Sequence, residues 1–406
     1  MLLSVLLALT VIIITARLVG WVFARLNQPA VIGEVIGGIM LGPSLLGHFA
    51  PGLQASLLPA EAAPLLGVIS QLGVILYMFL VGLELDLALL QGTLSITLAI
   101  SVASIIVPFA LGAGLSAVLF DQLSSAAVPS SSFTLFLGVS MSITAFPVLA
   151  RILEDRGLQR THLGTMALTC AAINDAIAWC LLAFVVSVMQ ATPAAAIRTV
   201  ALTVVYIIMM VTLGRSLVTR IVARLDSAPH LGERSLALVL VAVLLSAVAT
   251  EFIGIHAIFG AFLLGAIVPH QSKVAAHVTT RIADIVRVLF LPAFFAFTGL
   301  RTEIGLLQTP LDWGLCLLII AIATLGKWGG TTVSARLSGL DWRTSGALGI
   351  LMNTRGLVEL IVLNIGLDLG VITPRLFTML VIMAVVTTMM TSPVLTVLLR
   401  KGVAVR

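Results

Sequence analysis

Charge is what this sequence has least of. Asp, Glu, Lys and Arg make up 10% of its 406 residues, against about 25% in ordinary soluble domains. With 60% hydrophobic residues and a mean hydropathy of +1.20, the chain is a polytopic membrane protein with a largely lipid-facing surface. Cysteine is nearly absent. Cys170, Cys180 and Cys316 each lie inside an apolar run, without disulfide or metal-site spacing, and read as small core residues. No nucleotide-binding loop and no redox centre is visible. An enzyme and a cofactor are therefore not expected, and ion gradients remain as the energy source. The first apolar run lacks a basic n-region and a small-residue cleavage site, so no cleaved signal is expected. No appended soluble domain is expected either. A pI near 9.6 would suggest nucleic acid in a soluble chain. Here the basic residues sit in short loops, where they set membrane topology, and no nucleic-acid partner is expected.

What the chain does have is long apolar runs. A span needs about 20 residues. Runs fall at 2–23, 30–47, 65–84, 93–120, 132–152, 162–188, 196–218, 233–250, 256–269, 284–300, 312–335, 345–366 and 375–398. They predict thirteen transmembrane helices and termini on opposite sides. With the N-terminus outside, sixteen loop Lys and Arg residues fall inside, among them Arg151, Arg156, Arg215, Arg220, Arg224, Arg343 and Lys401. Only Arg198, Arg301 and Arg375 fall outside. That asymmetry places the C-terminus in the cytoplasm.

The order of features predicts one transporter domain over 1–406, built as an inverted repeat. Repeat one covers 1–190, a linking helix 196–218, and repeat two 233–400. The fifth helix of each half carries a polar break. In the first half it is Ser142-Ile143-Thr144-Ala145-Phe146-Pro147, and in the second Asn353-Thr354-Arg355-Gly356. Proline withholds a backbone donor, and glycine weakens a helix by about 1 kcal/mol relative to alanine. Interrupted helices at matching places in two halves point to a transport site at mid-membrane; two ordinary membrane kinks are the blander account.

Asn174 and Asp175 stand in the run TMALTCAAINDAIAWCLLA, at 165–183. A carboxylate at membrane depth costs roughly 2.5–3.5 kcal/mol on insertion scales and usually lines an ion or proton pathway. Its candidate partner is Lys327, deep within another run. Pairing would couple the two protonation equilibria, as a proton-exchanging site requires; a static ion pair would join two helices and carry nothing. Arg355 and Glu359, four apart, share a helix face and are expected to pair structurally. Glu34 is a weaker pathway candidate. Glu84 and Asp86 suggest a cation funnel or a solvated helix end. Gly33, Gly37, Gly38 and Gly42 give one helix a flat face for close packing.

Several segments together resemble the second branch of the monovalent cation:proton antiporters, which includes bacterial sodium- or potassium-proton antiporters, glutathione-gated potassium efflux systems and plant cation/proton exchangers. They are QPAVIGEVIGGIMLGPSLLG at 28–47, FLVGLELDL at 79–87, SITAFPVLARIL at 142–153, the Asn174-Asp175 pair, GIHAIFGAFLLGAIVP at 254–269, LPAFFAFTGL at 291–300, LGKWGG at 325–330 and NTRGLVELIVLNIG at 353–366. The resemblance runs almost end to end. It implies an all-α polytopic fold of thirteen helices, two inverted six-helix repeats whose discontinuous helices cross beside the aspartate, and a homodimer in the lipid of a bacterial inner membrane. It implies that Asp175 holds either the cation or the proton, and that Asn174 and Thr144 supply further oxygen ligands. Lys327 matches the basic residue of the crossing region. The transported ions are Na⁺ or K⁺ and H⁺. In the family, Asn at position 174 tends to accompany electroneutral exchange. Two other classes stay open: a gated cation channel, and an organic-anion symporter of related inverted-repeat plan.

Overall fold

The computed structural model describes residues 2–84, 94–125, 128–159, 161–190, 193–227 and 232–399. Apart from one isolated bridge between Ser124 and Ile372, the regular structure in them is helical. Backbone groups in hydrocarbon must be satisfied internally, and a helix does so within one segment. Ten described helices are long and apolar enough to cross a membrane. The other three apolar runs take different forms. The 256–269 run is the short helix Ala257–Ile267. The 132–152 run is two helices, Ser130–Ser142 and Phe146–Asp155, separated by three non-helical residues. The 345–366 run is likewise divided, into Trp342–Met352 and Leu357–Asp368. Both polar breaks anticipated from sequence are thus real interruptions of helix.

The chain divides into two compact units. One comprises 1–13, 58–89 and 183–297. Its centre is the packing of the Ala257–Ile267 helix on the Ala63–Glu84 helix. A Cβ on Gly82 would lie 2.3 Å from the Phe262 carbonyl oxygen, and one on Gly265 would lie 2.3 Å from that of Phe79. These glycines let two backbones touch, which explains why the 79–87 and 254–269 segments are glycine-bearing. Ser246 fastens the neighbouring helix: its hydroxyl meets the Gly260 carbonyl at 2.7 Å and the Tyr206 hydroxyl at 2.6 Å.

The second unit comprises 14–57, 90–182 and 298–406, and it contains both broken helices. The glycine face of the Ala30–Leu41 helix is turned inward. A Cβ on Gly33 would lie 2.6 Å from the Val19 carbonyl oxygen, and one on Gly299 would lie 2.3 Å from the Gly38 carbonyl carbon. The flat face thus packs against other helices of the same unit. The 93–120 run is the 30-residue helix Leu94–Leu123, which carries Pro108 in its interior.

Adding a methyl group where the opposing atom is backbone should be costly, because the backbone cannot turn away. Gly265→Ala is expected to destabilise the protein by about 1–3 kcal/mol. Gly314→Ala, in a helix interior with nothing within 4 Å of its Cβ, should be neutral or stabilising by up to about 1 kcal/mol. Thermal unfolding in detergent measures both; equal behaviour of the two variants would contradict the packing account.

Candidate functional site

The two breaks meet within the second unit. The Ala145 N–H donates to the Thr354 carbonyl at 2.9 Å, and the Thr144 hydroxyl donates to the Met352 carbonyl at 3.0 Å. The last carbonyls of the Ser130–Ser142 helix have lost their helical partners and carry the partial negative charge of a helix C-terminus. Arg355 fills that place. Its guanidinium donates to the Ser140 carbonyl at 2.7 Å, to the Met141 carbonyl at 2.6 Å and to Glu359 Oε2 at 2.9 Å. Both side chains of this ion pair are fully buried. The expected Arg355–Glu359 pair is present, and it does more than neutralise charge, because the arginine of one broken helix caps the end of the other. The Arg355 N–H donates to the Thr388 hydroxyl at 2.9 Å.

Asn174 and Asp175 enter this region on the His162–Gln190 helix, both buried. Both polar atoms of the Asn174 amide have partners. Lysine is only a donor, so the amide presents its oxygen to Lys327 Nζ at 3.2 Å and to the Ser104 hydroxyl at 2.7 Å. Its nitrogen then donates to the Ser101 carbonyl at 3.1 Å. Thr144 Oγ1 lies 3.4 Å from the oxygen end of the same amide. Asp175 is the opposite case. Neither carboxylate oxygen has a hydrogen-bond partner among the described residues, although the backbone amide of Phe146, the first residue of the half-helix beyond the break, lies close by. A buried carboxylate with so little compensation is expensive. Small alkali cations and protons are the species that neutralise such a group.

Lys327 sits in a π-helical turn, Leu325–Gly329, inserted between the helices Pro310–Thr324 and Gly330–Leu337. Such turns recur at functional sites. Its ammonium donates to the Ser104 carbonyl at 2.8 Å. Among the described residues no ion pair joins it to Asp175. The hydrogen bonds of Lys327 go to two neutral acceptors, the Ser104 carbonyl and the Asn174 amide oxygen, while its charge and that of Asp175 still act on each other. All four residues singled out from sequence, Asp175, Asn174, Thr144 and Lys327, are therefore buried in one unit. Asn174 contacts Thr144 and Lys327, while Asp175 stands apart from the lysine.

Sequence reasoning missed Ser101 and Ser104. The signal was available: Thr97, Ser101 and Ser104 recur at helical spacing in an otherwise apolar 30-residue helix, and all three are buried. Glu34 is buried, with the charge of Arg17 nearby. Glu84 closes its helix, and Asp86, like the proposed funnel, lies outside the described residues.

Residues 12–401 match a family model described as sodium/hydrogen exchanger, transmembrane. The Na⁺/H⁺ antiporter NhaS4 of Synechocystis is 48% identical over 397 residues, which cover 97% of this chain and 96% of that protein. The Na⁺/H⁺-K⁺ antiporter GerN of Bacillus cereus is 30% identical over 387 residues, covering 95% and 94%. The K⁺/H⁺ antiporter 1 of Saccharomyces cerevisiae is 34% identical over 391 residues, and the match spans 94% of this chain but 45% of that longer protein. In fold, the chain is similar to the sodium proton antiporter MjNhaP1 of Methanocaldococcus jannaschii, with a TM-score of 0.71 at 13% identity, covering 97% and 96%.

The buried ion pair at the crossing allows a stability test. Arg355→Met leaves Glu359 as a lone buried carboxylate and should cost about 3–5 kcal/mol. Arg355→Met/Glu359→Leu should recover part of that loss. The remainder, about 1–3 kcal/mol, is the uncapped carbonyls of Ser140 and Met141. A double variant no more stable than the single one, by thermal unfolding, would show that the lone charge is not the main cost.

Proposed function

Since the chain belongs to the sodium/hydrogen exchanger family of membrane transporters, we propose that Asp175 is the single group for which its two substrates, a monovalent cation and a proton, compete. The protein is a multi-pass membrane antiporter that exchanges such a cation for protons. Family membership sets aside the channel and organic-anion readings. The observation that carries the assignment of the site is the buried Asp175 carboxylate, whose oxygens have no hydrogen-bond partner among the described residues.

The chemistry follows from that isolation. A proton on Asp175 removes its charge and with it the attraction for a cation. A Na⁺ or K⁺ ion, which prefers oxygen ligands, neutralises it equally well. The Thr144 hydroxyl directs its proton to Met352, which leaves its oxygen lone pairs for a cation. The Asn174 amide oxygen already accepts from Lys327 and Ser104, so it ligates only in exchange for one of those bonds. Reorientation of the empty, charged carboxylate is disfavoured by roughly 2.5–3.5 kcal/mol, about two orders of magnitude in rate. Reorientation with either substrate bound avoids that penalty. Obligatory exchange is then a consequence of burying one unpaired carboxylate.

The same reading takes the three shorter or broken apolar runs as crossings. The fold is then thirteen helices in two inverted repeats, 1–190 and 233–400, about the linking helix 196–218, with the N-terminus outside, the C-terminus cytoplasmic and two copies forming a homodimer. The match of the two polar breaks and the loop-charge asymmetry support this arrangement.

In proteoliposomes with an internal pH dye, Asp175→Asn should abolish Na⁺- and K⁺-driven proton flux. Its melting temperature should fall little, because removing a buried charge offsets the lost interactions with the Phe146 amide and Lys327. Substantial remaining flux would remove Asp175 from the site.

Stoichiometry follows from charge. One cation displaces one proton from Asp175 while Lys327 keeps its proton, so each cycle moves no net charge. Solid-supported-membrane recordings should show no sustained cation-driven current. A current that persists through turnover and disappears in Lys327→Gln would mean that the lysine carries a second proton.

A further inference from the structure

Lys327 is held by a carbonyl that an α-helix does not normally offer. In a regular helix the Ser104 carbonyl would accept from the N–H of residue 108. That residue is Pro108, in the interior of the Leu94–Leu123 helix, and proline has no N–H to give. The released carbonyl is the one that accepts from Lys327 Nζ at 2.8 Å. The neighbouring contacts are arranged around the same point. A Cβ on Gly326 would lie 2.9 Å from Pro108 Cα, and one on Gly330 would lie 2.9 Å from Val107 Cβ. Two glycines four residues apart, flanking Lys327, thus seat its π-helical turn directly on the Val107–Pro108 step. The Asn174 amide oxygen, 3.2 Å from Nζ, completes the set of acceptors.

We propose that Pro108 is a positioning residue of the exchange site: it frees the Ser104 carbonyl to hold Lys327 away from Asp175, and so keeps the carboxylate open to the cation. This rests on the assignment of Asp175 as the substrate-binding group and adds what sets its affinity. A lysine with no carbonyl to hold it would turn to Asp175, a charge that already attracts it and whose oxygens have no hydrogen-bond partner among the described residues, and there compete with Na⁺ or K⁺. A donor at position 108 closes the helical bond to Ser104 and takes that carbonyl away. A methyl group on Gly326 lifts the π-helical turn from Pro108 and stretches the same contact. Both changes act on the cation through the Ser104 carbonyl and Lys327.

The test is a double-mutant cycle on apparent KM for Na⁺ and K⁺ in proteoliposomes, with the cation-induced rise in melting temperature as a transport-free measure of binding. Pro108→Ala is expected to raise KM about tenfold, in line with loss of a charged hydrogen bond, and to lower the maximal rate much less. Gly326→Ala should shift KM in the same direction, and it serves alone if Pro108→Ala does not fold. On a Lys327→Gln background, neither substitution should change KM or the cation-induced melting shift further. Equal effects with and without Lys327, or a change in maximal rate alone, would make Pro108 a merely structural kink and overturn the proposal. An unchanged KM in both single variants would overturn it as well. Failure of the underlying site is distinguished by Asp175→Asn: cation-induced stabilisation that survives in that variant refutes the site itself, whatever Pro108 does.

Discussion

Hydrocarbon offers no hydrogen-bond partner, so a helix interrupted inside a membrane must find its missing partners in protein. In this chain the two interruptions supply them to each other. Thr354 gives a carbonyl to Ala145, Met352 gives one to Thr144, and Arg355 covers the exposed carbonyls of Ser140 and Met141. A guanidinium brought this deep needs an anion, and Glu359, one turn along, provides it. The crossing is thereby closed in charge, while the Asn353 side chain and Glu359 Oε1 have no hydrogen-bond partner among the described residues. Asp175, whose two carboxylate oxygens have no hydrogen-bond partner among the described residues, is the acid to which the proposed exchange chemistry is assigned.

The lysine makes the same point from the other side. A buried ammonium needs acceptors, and they need not be charged. A direct bond to Asp175 would neutralise both groups and leave a cation little to gain by entering. Two neutral oxygens satisfy the lysine and keep the carboxylate available. The π-helical turn, Gly326, Gly330 and Pro108 all lie at that contact.

Much of this is legible in the residues. Apolar runs of span length, Pro147 and Gly356 at the breaks, the lone Asp175, and the i,i+4 spacing of Arg355 and Glu359 are all local signals, and local signals survive in a sequence. What escapes has a common cause. Reasoning from sequence pairs charge with charge, and so assigns Lys327 to Asp175; backbone carbonyls are present at every residue and stand out at none. The one mark of an available carbonyl is a proline four residues later, and Pro108 is such a mark for Ser104. Ser101 and Ser104 escape because single hydroxyls in apolar helices commonly bond back to their own turn, as Ser101 also does to Thr97. The pairing of Arg355 is local, yet its role as a cap depends on a helix end more than 200 residues away in the chain.

Position 174 ties these strands together. Its side chain is the second acceptor for Lys327, and it stands beside the carboxylate proposed to bind the substrates. An amide there accepts from the lysine without titrating, so the lysine's charge is left uncancelled and the site has one group to load. A carboxylate there would take the lysine as an ion partner and add a second place for a proton, which would alter both the lysine's freedom and the charge moved per cycle. The choice between Asn and Asp at 174 is thus a choice of what Lys327 is bonded to. On the proposed reading, the stoichiometry of exchange rests on the contact of 3.2 Å between Asn174 and Lys327.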